Sequence, residues 1–106
     1  MIRITYCRED QSVRICGHAG AGEPGKDLVC CAVSTVAQCM VHVFESLVGG
    51  IIKRVEAKVE PGDFYVRAVP CEYRRITALT IYDTFKDSLQ FIADNNREYI
   101  QMEEEK

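Results

Sequence analysis

The sequence predicts an α+β domain of two layers, a mostly antiparallel sheet carrying two helices, in the order ββαββα with room for a short C-terminal strand. Three observations predict it. Two pairs of short segments alternate apolar and polar residues, the pattern of a strand with one buried face. Each pair is followed by a long segment whose apolar residues recur every three or four positions, as on one side of a helix. Two hairpins alone cannot hide a hydrophobic face, so the economical arrangement is one sheet with both helices packed against it. At 106 residues the chain is short enough to make one domain, residues 1–106, and its 47% hydrophobic content is enough for a single core.

The first hairpin is Ile2-Arg3-Ile4-Thr5-Tyr6 and Val13-Arg14-Ile15, separated by the polar Arg8-Glu9-Asp10-Gln11. Residues Gly17 to Lys26 hold Gly17, Gly20, Gly22 and Gly25 with Pro24, a density that regular structure does not tolerate and a mobile loop does. Asp27 closes that loop as a helix N-cap. From Leu28 apolar residues fall at 29, 32, 33, 36, 40, 43, 44 and 47, a central helix stopped by Gly49-Gly50. Lys53 to Val59 alternates as a strand, and Glu60-Pro61-Gly62-Asp63 has the proline and glycine placement of a type II turn. Phe64 to Val69 returns as its partner. Ala78, Ile81, Tyr82, Phe85, Leu89 and Ile92 mark the second helix, which Asn95-Asn96 ends, and Glu98 to Met102 forms a short edge strand.

Charge and cysteine usage exclude several functions. A net charge of −3 gives no electrostatic footprint for nucleic acid, so none is expected as a direct partner. Six cysteines would suggest a disulfide framework in a secreted chain, but Met1 to Asp10 has no basic segment followed by an apolar one. The expectation is a reduced, cytoplasmic protein. Leu28 to Val48 approaches the length of a membrane span, yet Gln38, His42 and Glu45 interrupt it, and a buried amphipathic helix is expected instead.

The residues with chemistry gather around the glycine loop. His18 stands at a strand end and Cys30 in the first turn of the central helix. At about 100° per residue, Asp27, Cys30 and Ser34 lie along one helix edge beside the apolar face. A free thiol ionises near about pH 8.5, so a nucleophilic cysteine needs help, which the positive end of a helix and a nearby imidazole both supply. His18 is the histidine that a folded-back loop can bring over that turn. The first-turn N–H groups can also hold the oxyanion formed when a thiolate attacks a carbonyl. The residues therefore offer a Cys–His nucleophile pair, with Asp27 either capping the helix or orienting the imidazole.

Plainer readings compete with this one. A cysteine in a first helical turn is often a small buried hydrophobe, and a histidine at a strand end an ordinary surface residue. The spacing of Cys16, His18, Cys30 and Cys31 is poor for a structural zinc site, so no metal is expected. His42 is expected on a solvated stripe with Gln38 and Glu45. Cys7, Cys16, Cys39 and Cys71 are expected as strand and core fillers, with Cys7 and Cys16 able to face each other across the first hairpin. Adjacent Cys30 and Cys31 leave a redox-sensing thiol as a further alternative.

Gly17-His18-Ala19, Gly25-Lys26-Asp27-Leu28-Val29-Cys30 and Ala32-Val33-Ser34 together closely resemble the ribosomal-processing cysteine protease family, Prp. The resemblance extends over nearly the whole chain, with the flanking strands and second helix agreeing in pattern and length. It implies a cysteine endopeptidase that removes a short N-terminal extension from a large-subunit bacterial ribosomal protein precursor. Cys30 would be the nucleophile and His18 the general base and acid. Asp27 and Ser34 would support the pair, and Gly20, Gly22 and Gly25 would form a loop over the substrate. No cofactor is implied, and a homodimer is. Cys31 departs from the small apolar residue expected there. The competing class is a non-catalytic, ribosome-associated peptide-binding module in which Cys30 is structural.

Overall fold

The alternating segments pair as one five-stranded sheet in the computed structural model, which describes residues 1–22 and 27–105. Strands β1 (Ile2–Cys7) and β2 (Ser12–Cys16) precede helix α1 (Leu28–Ser46). Strands β3 (Ile52–Glu60) and β4 (Asp63–Pro70) precede helix α2 (Arg75–Asp94), and β5 (Ile100–Glu104) ends the fold. The strand order is β3-β4-β2-β1-β5. Three of the four pairings are antiparallel, and β5 joins the edge parallel to β1. The last strand runs from Ile100 rather than Glu98, because Asn96 to Tyr99 still turn the chain: the N–H groups of Tyr99 and Ile100 both donate to the Asn96 carbonyl.

Alternation divides the sheet into two unlike faces. Ile2 and Ile4 of β1, Val13 and Ile15 of β2, and Phe64, Val66 and Ala68 of β4 all point to the buried side. The opposite face carries exposed Arg3, Arg14 and Lys58, with the Arg14 guanidinium 4.8 Å from the centre of the Tyr65 ring. Both helices cover the apolar face, α1 along β3 and α2 reaching β4 and β5. Between the helices the rings of Phe44 and Phe85 meet at 6.2 Å, tilted by 55°. Tyr82, wholly buried, donates from its hydroxyl to the Ser12 carbonyl at 2.8 Å and so ties α2 to the start of β2.

Helix α1 has the length and the mean hydropathy (1.6) of a membrane span. Here Val33, Ala37, Met40 and Phe44 are its buried residues, packed on the sheet. That set corrects the expected stripe at two points. Ala37 is core although the expected stripe omits it, and of the expected positions Val29, Val36 and Leu47 are half-buried at the margins of the core, while Ala32 and Val43 are half-buried outside it. Cys39 is exposed rather than a core filler. Cys7 and Cys16 do not face each other, since Cys7 lies opposite Ser12 and Cys16 opposite Arg3. All six cysteines are free thiols.

Candidate active site

At the end of β2 the chain makes a sharp exit. Gly17 has φ +90°, and a Cβ there would stand 2.5 Å from the Met1 carbonyl oxygen, so both conformation and space require glycine. Its N–H donates to the Gly62 carbonyl at 3.0 Å, which fastens the exit to the β3–β4 hairpin tip. His18 is thereby turned out of the sheet and is exposed, while Ala19 returns inward and is 5% exposed. The Ala19 N–H donates to the Cys30 sulfur at 3.2 Å. One turn of backbone thus places the histidine beside the thiol's own anchoring residue.

Asp27 holds the other side of this arrangement. Its Oδ1 accepts from the N–H groups of Val29 and Cys30, both at 3.0 Å, and its Oδ2 accepts from Ala21 at 3.1 Å. The Cys30 N–H, followed by partial desolvation acting in the opposite sense and then Ala21, holds this carboxyl below the usual carboxylate range. Of the two roles open to Asp27, the geometry is that of a helix cap that also tethers the glycine loop. Of the first-turn N–H groups, those of Val29 and Cys30 donate to Asp27 Oδ1, and that of Cys31 donates to the Asp27 carbonyl at 3.0 Å. Among the described residues, the backbone donor that stands at the sulfur is Ala19.

Cys30 and His18 line one open cavity of about 370 Å³. Val33, Ser34, Ala37 and Gln38 of α1 form one wall, and Val59 to Gly62 of the hairpin form the other. Ile2, Ile15 and Phe64 make an apolar floor. The imidazole of His18 lies against Gly62, and among the described residues no hydrogen bond joins it to Cys30. Catalytic contacts often tighten only when substrate is bound, so such a separation is compatible with a working pair.

The other predicted residues divide clearly. Ser34 lines the cavity, and its Oγ accepts from Gln38 Nε2 at 2.7 Å. Cys31 is exposed and is not part of the lining, and His42 is exposed as expected. Gly20 and Gly22 are exposed in the loop and do not line the cavity, while Gly25 lies outside the described residues together with Pro24 and Lys26. Sequence reasoning missed Gln38 and Gly62. Gln38 was legible as the residue one turn beyond Ser34 on the same edge; Gly62 was already explained by its turn.

Comparison with known proteins gives a consistent answer. The family model described as cysteine protease Prp matches residues 1–101. The chain is similar to the ribosomal processing protease Prp of S. aureus solved with a covalently linked product peptide, at 29% identity and a TM-score of 0.76, covering 98% of this chain and 97% of that one. The same S. aureus protease solved with a substrate peptide gives 28% identity and a TM-score of 0.71 over 98% and 97% of the two chains. SMU.848 from Streptococcus mutans gives 26% identity and 0.72 over 98% and 93%. No curated protein sequence matches the chain significantly. With the family model extending over nearly the whole length, the chain belongs to the cysteine protease Prp family.

Proposed function

We propose that this cysteine protease is the endopeptidase that removes a short N-terminal extension from a large-subunit ribosomal protein precursor, with Cys30 as nucleophile and His18 as general base and acid. The observation that carries the reading is that these two side chains line the same cavity, reached from a strand end and a helix start that the Ala21 bond to Asp27 Oδ2 and the Ala19 bond to the Cys30 sulfur hold together. The S. aureus relatives, solved with a substrate peptide and with a covalently linked product peptide, support a peptide as the occupant. An extended substrate lies between the α1 wall and the hairpin wall. The floor of Ile2, Ile15 and Phe64 receives an apolar side chain next to the scissile bond.

In the first half-reaction His18 takes the Cys30 proton, and the thiolate attacks the scissile carbonyl. Ala19 N–H, which donates to the sulfur in the free protein, passes to the developing oxyanion as the charge moves from sulfur to the carbonyl oxygen. Collapse of the tetrahedral adduct breaks the C–N bond, and His18 gives its proton to the leaving amine. His18 then takes a proton from water, whose oxygen attacks the thioester. The peptide leaves as a carboxylate and the thiol is restored.

Two further parts of the reading concern surroundings. The free thiols suit the reducing cytoplasm. A second copy of the chain is the proposed occupant of the surface around Phe91, 71% exposed, with half-buried Val36 and Ile92 beside it. The test of the whole proposal is incubation of the purified chain with an N-terminally extended ribosomal protein, read by intact mass. Loss of one N-terminal fragment at a single bond is expected; an unchanged precursor under reducing conditions refutes the assignment.

A further inference from the structure

We propose that Gly62, at the tip of the β3–β4 hairpin, is the positioning residue for His18: its bare backbone is the seat on which the imidazole rests, and it sets where the ring stands relative to Cys30. The inference rests on the reading of His18 and Cys30 as the working pair. A Cβ at residue 62 would stand 2.8 Å from His18 Nε2, 3.3 Å from Cε1 and 3.6 Å from Cδ2. Real Cβ atoms do not approach so closely, so the ring occupies the volume that any side chain at this position would need. Gly62 is also attached to the residue that precedes the histidine, because its carbonyl accepts from the N–H of Gly17 at 3.0 Å.

The hairpin tip is braced by ion pairs within it and by one from β2. Lys58 pairs with Asp63 and, at 3.8 Å, with Glu60, while Arg14 reaches Asp63 at 3.7 Å. His18 is exposed, and among the described residues its ring has no hydrogen-bond partner. When a methyl group is added at residue 62, the element that yields is therefore the imidazole. The turn alone explains why a glycine stands here, since φ is +72°. It does not explain the contact with the ring, and Gly49 separates the two effects. Gly49 has φ +97° and nothing within 4 Å of its would-be Cβ, so Gly49→Ala carries the backbone strain without the collision.

The test is a double-mutant cycle on the full chain, comparing Gly62→Ala, His18→Ala, both together, and Gly49→Ala. Two readouts are taken: kcat/KM for precursor cleavage, and the rate of iodoacetamide alkylation at Cys30, located by peptide mass because every thiol in the chain is free. Gly62→Ala is expected to lower kcat/KM by about tenfold or more, within the contribution that a general base makes, and to slow alkylation severalfold, while Gly49→Ala leaves both unchanged. In the His18→Ala background, adding Gly62→Ala should change alkylation less than about twofold, since the group it acts through is gone. Equal effects of Gly62→Ala in the two backgrounds, or none beyond those of Gly49→Ala, overturn the seat. If His18→Ala itself cleaves normally, the Cys–His reading has failed and the inference falls with it. Should Gly62→Ala not fold, the unsubstituted protein decides: strong nuclear Overhauser contacts between the His18 ring protons and the Gly62 α-protons are expected, and their absence overturns the seat.

Discussion

Substituting Asp27 in two ways separates its two jobs. Oδ1 caps α1 through Val29 and Cys30, and Oδ2 tethers the loop through Ala21. Alanine removes both. Losing a side-chain cap lowers the melting temperature of a domain of this size by about 4–8 °C. Asparagine keeps a carbonyl oxygen for the cap but turns an amide donor towards the Ala21 N–H, so the helix is retained and the tether is lost. Asp27→Asn should therefore melt within about 2 °C of the parent, because asparagine caps as well as aspartate. Its cleavage rate should nevertheless fall about tenfold or more, since the loop it releases carries the Ala19 donor to the thiol and small misplacements are costly in catalysis. The assay is a thermal melt paired with precursor cleavage for the three proteins. The pH dependence adds a sign. The folded-state carboxyl is held below its ordinary value, so its contribution to stability is complete above the ordinary carboxylate range and is lost as pH falls through the lowered value. The melting gap between the parent and Asp27→Ala should accordingly close in acid. An Asp27→Asn variant with full activity refutes the tether, and an Asp27→Ala variant with an unchanged melt at neutral pH refutes the cap.

Two other changes probe the packing and the cleft. Tyr82→Phe removes the buried hydroxyl that donates to the Ser12 carbonyl, and leaving that acceptor short of a partner should cost about 1–2 kcal/mol in denaturant unfolding with cleavage unchanged. A variant as stable as the parent shows that this bond does not tie α2 to the sheet. Gln38→Leu takes away the amide that donates to Ser34 in the cavity wall, and peptide kinetics should show KM raised severalfold with kcat little altered; a fall in kcat alone places Gln38 in the chemistry instead.

Much of the fold was legible because it is local. Alternation in Ile2 to Tyr6, the Pro61-Gly62 turn, the Asp27 cap and the Gly49-Gly50 stop each act within a few residues, and each element formed where those signals stand. Contacts distant in sequence were harder to read. The parallel pairing of Ile100–Glu104 with β1 depends on where α2 delivers the chain, and the register that separates Cys7 from Cys16 depends on the geometry of the hairpin turn. Ala37 was missed because a small residue gives a weak hydrophobic signal, although on α1 it sits centrally beneath the helix. At the site, His18 and Cys30 were legible as residue types at a suggestive spacing. That Asp27 takes the N–H groups of Val29 and Cys30 while Ala19 meets the sulfur follows from the path of the loop, which composition does not specify.

Cys30, and not its neighbour Cys31, is the residue proposed to attack the peptide. Successive helical residues point about 100° apart, so only one of the two can face a given carbonyl. Cys30 lines the cavity with His18, whereas Cys31 is exposed outside it. The direct measurement is cleavage of the extended ribosomal precursor by Cys30→Ala and Cys31→Ala, each shown to be folded by circular dichroism and each read by intact mass. No processing by Cys30→Ala and near-parental processing by Cys31→Ala are expected. Normal turnover by Cys30→Ala, with Cys31→Ala inactive, contradicts that proposal.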